Sequence, residues 1–268
     1  MDFSARPFVV LEANYRQLLE LKPNVAVLPW GATEAHNFHL PHGTDIVEAN
    51  ALGTRAVERA NAAGARCILL PAVPFGQNHA QLPQVATISL RASTQAKILF
   101  DIADSLLRQN INRLVLLNFH GGNEFKSLLR DVMADLPIFI VQAHGFALSP
   151  RGRAAQEIPG DHADEFETSL MLHLEPAWVD MDAAGDGATT PSALPALTQT
   201  PGVWVQRHWA ALTRDTGTGD PRLATAAKGQ AILEEATANL AQVLVELSQA
   251  RNGDFPFVIP PSTQQAAL

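Results

Sequence analysis

The sequence has little of several features, and each shortage excludes a class of protein. Cys67 is the only cysteine among 268 residues, so no disulfide can form within the chain. A reducing compartment fits this composition. No apolar run approaches the roughly 20 residues that are needed to cross a bilayer, and the N-terminus lacks the basic stretch and apolar block of a secretory signal. We therefore expect a soluble, cytoplasmic protein.

Charge is also scarce, and its sign is informative. Charged residues make up 17% of the chain, the net charge is −8 and the sequence pI is about 5.5. This acidic balance argues against nucleic acid or an anionic membrane as a partner, because both require a basic face. Hydrophobic residues make up 47%, which is enough for a core and unlike a disordered chain. We expect a globular protein that binds neither nucleic acid nor a membrane.

Apolar runs alternate with helical patterns along the chain. Four short runs are typical of buried strands in a parallel sheet covered on both faces: Val25–Trp30, Cys67–Val73, Leu114–Phe119 and Ile138–Gln142. Apolar residues at helical spacing predict helices over Asp45–Ala63, Ser93–Gln109, Asn123–Leu136, Glu165–Leu174 and Leu223–Gln249. This alternation predicts an α/β layered fold.

The chain shows no internal repeat and no sharp linker. We therefore predict a single domain over residues 1–268, with a loop at 183–202 that is rich in Ala, Gly, Pro and Thr. The tail after Gly253 contains three prolines, and we expect it to be extended.

A short stretch after the first predicted strand, EAHNFHLPHGTD, holds three of the nine histidines. Glu34, His36 and Asp45 lie in it, and His120 ends the third strand. The carboxyl ends of parallel strands form sites at one edge of a sheet, so these side chains are expected to meet there. Carboxylate and imidazole ligands suit Zn²⁺, Mn²⁺ or Fe²⁺, and Asp45 can bridge two ions. The alternative is that the carboxylates cap turns or helices while the histidines bond to buried backbone.

A further cluster lies at GDHADEFETS, residues 160–169. On a helix that starts near Asp164, Glu167 shares a stripe with the apolar Leu170 and Met171. A buried carboxylate is unfavourable unless it is paired or binds a metal, so Glu167 is a candidate ligand. His162 precedes the helix and can act as a general acid or base. The alternative, a solvated acidic helix start, explains Asp164 but not Glu167.

Other polar residues are candidates for substrate contact or support. Asn78, His79 and Gln81 follow the second strand, and Asp161 precedes His162; we treat these four as possible substrate contacts. His144, which follows the fourth strand, is another possible substrate contact. We predict that His39 orients a ligand or a carboxylate and that His42 lies in a loop or on the surface. His173 and His208 are expected to be structural. Trp204 and Trp209 are expected to pack in the core, with a pocket or subunit contact as the alternative.

Four motifs together resemble the creatininase (creatinine amidohydrolase) family. They are EAHNFHLPHGTD, NFHGGN, HADEFETS and GDPRLATAAKG, in this order along the chain. The resemblance covers residues 25–230, most of the chain. It implies a three-layer α/β/α sandwich around a central, mainly parallel sheet, and assembly as a homo-oligomer, commonly a hexamer.

The resemblance also implies a chemistry. Members of the family hydrolyse amide C–N bonds with a two-metal centre of Zn, Mn or Fe. Matched position by position, Glu34 and His120 would hold one ion and His36 the other, with Asp45 bridging them. His162 matches the histidine that transfers protons.

This chain differs from the family pattern in three ways, and the differences affect which residue roles and which substrate the resemblance implies. In creatininase proper a glutamate two residues after the match to His120 binds the second metal, whereas this chain has Gly122. Glu167, which matches a carboxylate at the edge of the metal site, would then supply that ligand, or the second site would be weaker. No tryptophan precedes His162, so creatinine is not the expected substrate. Asn37 replaces the usual glycine.

These observations predict a metal-dependent amidohydrolase that cleaves a small cyclic amide or a formamide. Two alternatives remain at this point. One is a hydrolase of a lactone or a strained cyclic ketone, since the same metal chemistry polarises those carbonyls. The other is a small-molecule binder without catalytic activity.

Overall fold

The computed structural model describes residues 5–251. Its centre is a sheet of four parallel strands in the order β2-β1-β3-β4. The strands are β1 (Val25–Trp30), β2 (Cys67–Leu69), β3 (Arg113–Asn118) and β4 (Phe139–His144). The α-helices are α1 (Tyr15–Leu21), α2 (Thr44–Ala62), α3 (Ala92–Leu107), α4 (Lys126–Asp135), α5 (Pro150–Ala154), α6 (Glu165–Leu174), α7 (Pro195–Gln199), α8 (Trp209–Leu212) and α9 (Ala226–Gln249). Short 3₁₀ helices lie at His79–Gln81, Gly145–Ala147, Pro176–Trp178 and Met181–Ala183.

Helices cover both faces of the sheet, which confirms the predicted three-layer α/β/α architecture. Alternate residues of each central strand point to opposite faces. Val27 and Leu117 pack with α2, α6 and α9 in one core layer. Leu28 and Leu116 pack with α3 and α4 in the other. Both faces of β1 and β3 are buried, which is why these strands read as continuous apolar runs.

The strand boundaries differ from those predicted, most of all for β2. This strand ends at Leu69 and not at Val73, because Pro71 has no N–H to donate. Val73 still lies beside β1, where its carbonyl accepts from the Gly31 amide at 3.1 Å. β3 begins and ends one residue earlier than predicted, and β4 continues to His144 beyond the predicted Gln142.

Among the helices, α6 has the predicted bounds, and α2 and α3 are shifted by one or two residues. α4 begins at Lys126 instead of Asn123, because the Asn123 side chain bonds to Asn118 and Gln77 before the helix starts. α9 begins at Ala226 instead of Leu223, because Thr225 caps it by accepting from the Lys228 amide.

The helices α1, α5, α7 and α8 were not predicted, and α7 lies within the expected loop at 183–202. Within residues 5–251, none of the helices is both long and apolar enough to span a membrane. The extended tail predicted after Gly253 lies outside the described residues. The single domain over residues 1–268 stays a prediction.

Candidate metal centre

The predicted polar residues converge beyond the carboxyl ends of β1 and β3. Glu34 and His36 lie in the loop after β1, Asp45 in the first turn of α2, and His120 two residues after β3. Gly31 allows this approach, because a Cβ at that position would lie 2.9 Å from the backbone of Asp45. The end of β1 and the start of α2 therefore pack more closely than any side chain would permit.

The two oxygens of Asp45 face different histidines. Its Oδ1 lies 2.9 Å from Nε2 of His36, and its Oδ2 lies 3.3 Å from Nδ1 of His120. His120 Nδ1 also lies 2.8 Å from Glu34 Oε1. All four side chains are buried. A carboxylate placed between two imidazoles in this way has the geometry of a bridging ligand.

Two sets of three potential ligands share Asp45. One is Glu34, Asp45 and His120, and the other is His36, Asp45 and Glu167; within each set the ligand atoms lie within 4.8 Å of one another. A further set, which joins His162 to Glu34 and His36, meets the same criterion. The structure thus brings together all five side chains predicted as metal ligands.

Both histidines present a defined nitrogen to this cluster. His36 Nδ1 lies 3.1 Å from the Glu34 carbonyl oxygen, and His120 Nε2 lies 3.4 Å from that of Gln77. A carbonyl only accepts, so the nitrogen facing it carries the proton in a neutral imidazole. The opposite nitrogens, His36 Nε2 and His120 Nδ1, are then the ones available as ligands.

The charges of the cluster favour a cation. Burial alone would lower the pKa of His36, but the carboxylates around it, with Asp45 first, raise that pKa to about 10. The pKa of His120 is likewise raised well above its ordinary value, because Glu34 and Asp45 outweigh the effect of burial. Oε2 of Glu34 is buried without a hydrogen-bond donor. These residues therefore fit a divalent cation, which supplies the positive charge that the carboxylates lack.

Glu167 is supported by the start of α6. Asp164 caps this helix, since its Oδ1 accepts from the amides of Phe166 at 2.9 Å and Glu167 at 3.1 Å. The Ala163 amide donates to the Glu167 carboxylate. Burial, reinforced by Asp164 and Asp45 although His36 opposes it, raises the pKa of Glu167 to about 8. Asp164 caps the helix but is buried, so the alternative of a solvated acidic helix start describes neither Asp164 nor Glu167.

His162 lies beside the cluster in a fixed orientation. Its Nε2 lies 2.8 Å from the Ala35 carbonyl oxygen, and its Nδ1 lies 3.9 Å from Glu34 Oε1. Its ring centroid is 4.3 Å from that of His36. Burial and then the neighbouring His36 lower the pKa of His162. A neutral His162 therefore carries its proton on Nε2 and turns the lone pair of Nδ1 toward the cluster.

Gly122 stands in a position with no room for a side chain. A Cβ there would lie 2.6 Å from the Gln77 carbonyl oxygen and would overlap the His120 ring. A glutamate at this position would require the 77–79 backbone or His120 to move. Glu167 is instead the carboxylate that the structure places with His36 and Asp45.

The four candidate substrate contacts occupy different environments. Asn78 is buried, and its Nδ2 donates to the Ile88 carbonyl at 3.0 Å, whereas its Oδ1 has no partner. His79 is exposed and lies 3.0 Å from the Ser89 hydroxyl. Gln81 is buried with Oε1 unpaired. Asp161 forms an ion pair with Arg207. Their role in substrate contact stays a prediction.

Sequence reasoning missed Glu48 and the contact that Trp209 makes with His162. Glu48 is buried one turn after Asp45, and neither of its oxygens has a hydrogen-bond partner. Burial and the nearby Glu167 raise its pKa well above the ordinary value. Its i+3 spacing from Asp45 was the available signal. Trp209 contacts His162, and nothing in the sequence pattern connects those two residues.

The other histidines lie outside the cluster. His39 is buried with Nε2 2.8 Å from the Thr168 hydroxyl, so it contacts a neighbour of Glu167 and not a carboxylate. Burial lowers its pKa to about 4, which keeps it neutral. His42, which is half-buried, lies 2.9 Å from the Val85 carbonyl oxygen and ties two loops together.

Comparison with known proteins gives consistent matches. The family model described as Creatininase, creatinine amidohydrolase, matches residues 12–244. The chain is 32% identical over 230 residues to the mycofactocin precursor peptide peptidase of Mycobacterium tuberculosis, covering 82% of this chain and 84% of the relative. It is 28% identical over 252 residues to the creatinine amidohydrolase of Pseudomonas putida, covering 83% and 89%.

Solved structures match as well. A crystal structure from Bacteroides fragilis, of a protein assigned as a creatinine amidohydrolase, superposes with a TM-score of 0.85 at 39% identity over 92% of this chain and 98% of that chain. A mutant creatininase of Zn-Zn type and a Mn form of creatininase share the fold, with TM-scores of 0.74 and 0.73 at 23% and 24% identity. They cover 92% and 91% of this chain and 100% of each of those chains.

Proposed function

This chain belongs to the creatininase family of metal-dependent hydrolases, and from that premise we propose that it cleaves an amide C–N bond. The observation that carries the proposal is the position of Asp45, whose two oxygens face His36 and His120 in two ligand sets. Such a shared carboxylate supports a centre of two divalent ions, Zn, Mn or Fe. Glu34 and His120 would hold one ion, and His36 and Glu167 the other.

When bound, a pair of ions supplies the chemistry of lowering the pKa of a water and polarising the substrate carbonyl. The chain's own residues handle the proton. His162 is neutral, its Nε2 proton is held by the Ala35 carbonyl, and its Nδ1 is free to accept a proton on the side of Glu34. The same Nδ1 then donates that proton to the departing nitrogen as the C–N bond breaks.

Two substrate classes fit this chemistry. A small cyclic amide or a formamide is the class expected from the sequence. A peptide is the second, and it is favoured by the 32% identity to a peptidase of a precursor peptide. Exposed apolar side chains beside the metal-bearing loop, Phe38 at 63% and Val85 at 86% exposure, also suit a longer substrate. A lactone or cyclic ketone remains the alternative for the same centre.

The test is turnover by the metal-loaded protein on a panel of cyclic amides, formamides, short peptides and lactones. We expect amide cleavage that is lost after chelation, restored by Zn²⁺ or Mn²⁺, and absent in His120→Ala. Undiminished activity after chelation or in His120→Ala would refute the proposal. Fast lactone opening with inert amides would favour the alternative, and tight metabolite binding without turnover would indicate a binder.

We also propose that the chain forms a homo-oligomer, with a hexamer as the state to test, and that it binds neither nucleic acid nor membranes. Family membership and the net charge of −8 support this. Light scattering coupled to size-exclusion chromatography measures the mass directly. A strictly monomeric protein, or one that binds DNA at physiological salt, would contradict it.

A further inference from the structure

Trp209 lies edge-on against His162. The two ring centroids are 4.9 Å apart with an interplanar angle of 66°, and only 8% of Trp209 is exposed. The His162 ring also neighbours that of His36, with the two centroids 4.3 Å apart. His162 therefore contacts both a predicted metal ligand and an indole that comes from a distant part of the chain.

An ion pair connects Trp209 back to the residue next to His162. The Arg207 guanidinium lies 5.6 Å from the centroid of the Trp209 ring. It also binds the Asp161 carboxylate through both terminal nitrogens, with Nη1 3.1 Å from Oδ1. Through these contacts each of four residues touches or adjoins the next, in the order Asp161, Arg207, Trp209 and His162, and His162 follows Asp161 in the sequence.

Thr218 anchors Asp161 within this set of contacts. Its hydroxyl donates to the Asp161 carboxylate, and its backbone amide donates to the His162 carbonyl at 2.8 Å. Asp161 is thus fixed to the same backbone that carries His162. It follows that the position of Arg207, and with it Trp209, is set relative to His162.

The segment that carries Trp209 has little other support on its N-terminal side. Residues 190–207 are exposed, including Trp204 at 84%. α8 itself has only four residues. Half of each partner of the ion pair is exposed, 47% of the Arg207 side chain and 52% of that of Asp161, and an exposed pair is weak by itself. Such a contact is suited to a latch that holds the segment in place and can release it.

We propose that Trp209 is a positioning residue for His162 and that the Asp161–Arg207 pair is the latch that keeps it there. The Ala35 carbonyl holds one nitrogen of His162, but a single hydrogen bond leaves the ring free to tilt about it. The indole blocks that tilt and keeps Nδ1 directed at the cluster. This inference rests on the proposed function for its kinetic consequence only. It gives Asp161 a role other than substrate contact.

The kinetic test compares Trp209→Leu with Trp209→Phe, using Trp204→Leu as the control from the same segment. On the best amide of the panel, Trp209→Leu is expected to lower kcat by roughly 10–100-fold, as for a misplaced catalytic group, with KM and bound metal nearly unchanged. Trp209→Phe keeps an aromatic edge and should recover most of kcat. Trp204→Leu should match the parent. An unchanged kcat in Trp209→Leu, or equal losses in the Leu and Phe variants, would overturn the proposal.

A second test requires no substrate. The emission of Trp209, obtained as the parent spectrum minus that of Trp209→Phe, should be that of a buried indole. Asp161→Asn and Arg207→Gln should each shift this emission to the red, and the double variant should shift it no further than either single variant. As a control, Arg108→Gln, which breaks an unrelated surface pair, should leave the emission unchanged. An unshifted spectrum in both single variants would refute the latch. If no amide is turned over, the proposed function fails, and this readout still decides whether the pair holds Trp209.

Discussion

Asp45 is the residue on which the geometry of the cluster depends. It lies in the first turn of α2, where an acidic residue is favoured by the helix dipole, and Gly31 lets β1 pass directly beside it. The capping alternative does not describe this residue, because the N-cap of α2 is Gly43 and Asp45 lies within the helix. Its carboxylate instead contacts His36 and His120.

Replacing this carboxylate by an amide tests its role. Asp45→Asn keeps the shape but removes a buried charge, and loss of one partner from a buried charged set costs about 3–5 kcal/mol. That corresponds to a loss of roughly 10²- to 4 × 10³-fold in metal affinity. Isothermal titration with Zn²⁺ or Mn²⁺ measures it, with Asp104→Asn at an exposed pair as the control. Equal affinities in parent and Asp45→Asn would contradict the assignment.

The titration of the cluster predicts how metal binding depends on pH. Glu167 has a pKa of about 8 and His36 of about 10, so both hold protons at neutral pH in the metal-free protein. An ion must displace those protons, and affinity should rise as pH increases through these values. Titrations in buffers of different ionisation enthalpy should show proton release. Affinity that is independent of pH between 6 and 8 would be inconsistent with these pKa values.

The predicted metal ligands could be found from the sequence, but the residues around them were not found. Glu167 stood out because a carboxylate in an apolar helical stripe needs a partner, and this physical argument is local. Trp209 could not be connected to His162, since their contact depends on the path of a loop and on an ion pair between residues 46 positions apart. Glu48 carried a usable signal in its spacing from Asp45, which was not recognised.

At the scale of elements, α6 delivers Glu167 and follows His162, so its placement matters most. It packs against α2 and α9. The contact with α9 is close at Gly229, where a Cβ would overlap the Ser169 carbonyl oxygen. Gly229, the last residue of the GDPRLATAAKG motif, therefore serves the packing of two helices and not a turn.

Gly229→Ala tests this contact by whether it raises or lowers the free energy of unfolding. Alanine is favoured within a helix by about 1 kcal/mol over glycine, so a relaxed site would become more stable. We expect the reverse, a destabilisation of about 1–3 kcal/mol from overpacking against backbone. Denaturant unfolding measures it, with Gly43→Ala, where a Cβ meets open space, as the control. A more stable Gly229→Ala would show that α6 and α9 separate freely.

The elements themselves were predictable where their patterns were strong. β1 and β3 are buried on both faces, and α6 ends just before Pro176, so their positions followed from the sequence. β2 was overestimated because Pro71 was counted as part of an apolar run. α7 and α8 have five and four residues, too few for any periodicity to show.

At the scale of the whole molecule, the sheet brings together residues from 34 to 167 of the chain. Each ligand is attached to the end of a strand or to a helix that packs on the sheet, so the cluster forms only when the layers assemble. The sequence indicated the edge at which they meet, from the rule for parallel sheets. It gave no information on which oxygen of Asp45 faces which histidine.

A cluster that forms only in the folded chain should couple metal binding to stability. A ligand at 100 times its Kd adds about 2.7 kcal/mol to the free energy of unfolding, which raises the Tm by roughly 5–10 °C for a chain of this size. Thermal unfolding with Zn²⁺ or Mn²⁺, and again after chelation, measures the shift. An identical Tm in both conditions would show that these residues bind no ion.

The most direct measurement is an anomalous-scattering map of crystals loaded with Zn²⁺. The account predicts two peaks on either side of the Asp45 carboxylate, about 3.5–4 Å apart. One should lie within bonding distance of Glu34 and His120, and the other within bonding distance of His36 and Glu167. Zinc bound elsewhere, with neither Asp45 oxygen among its ligands, would contradict the central claim.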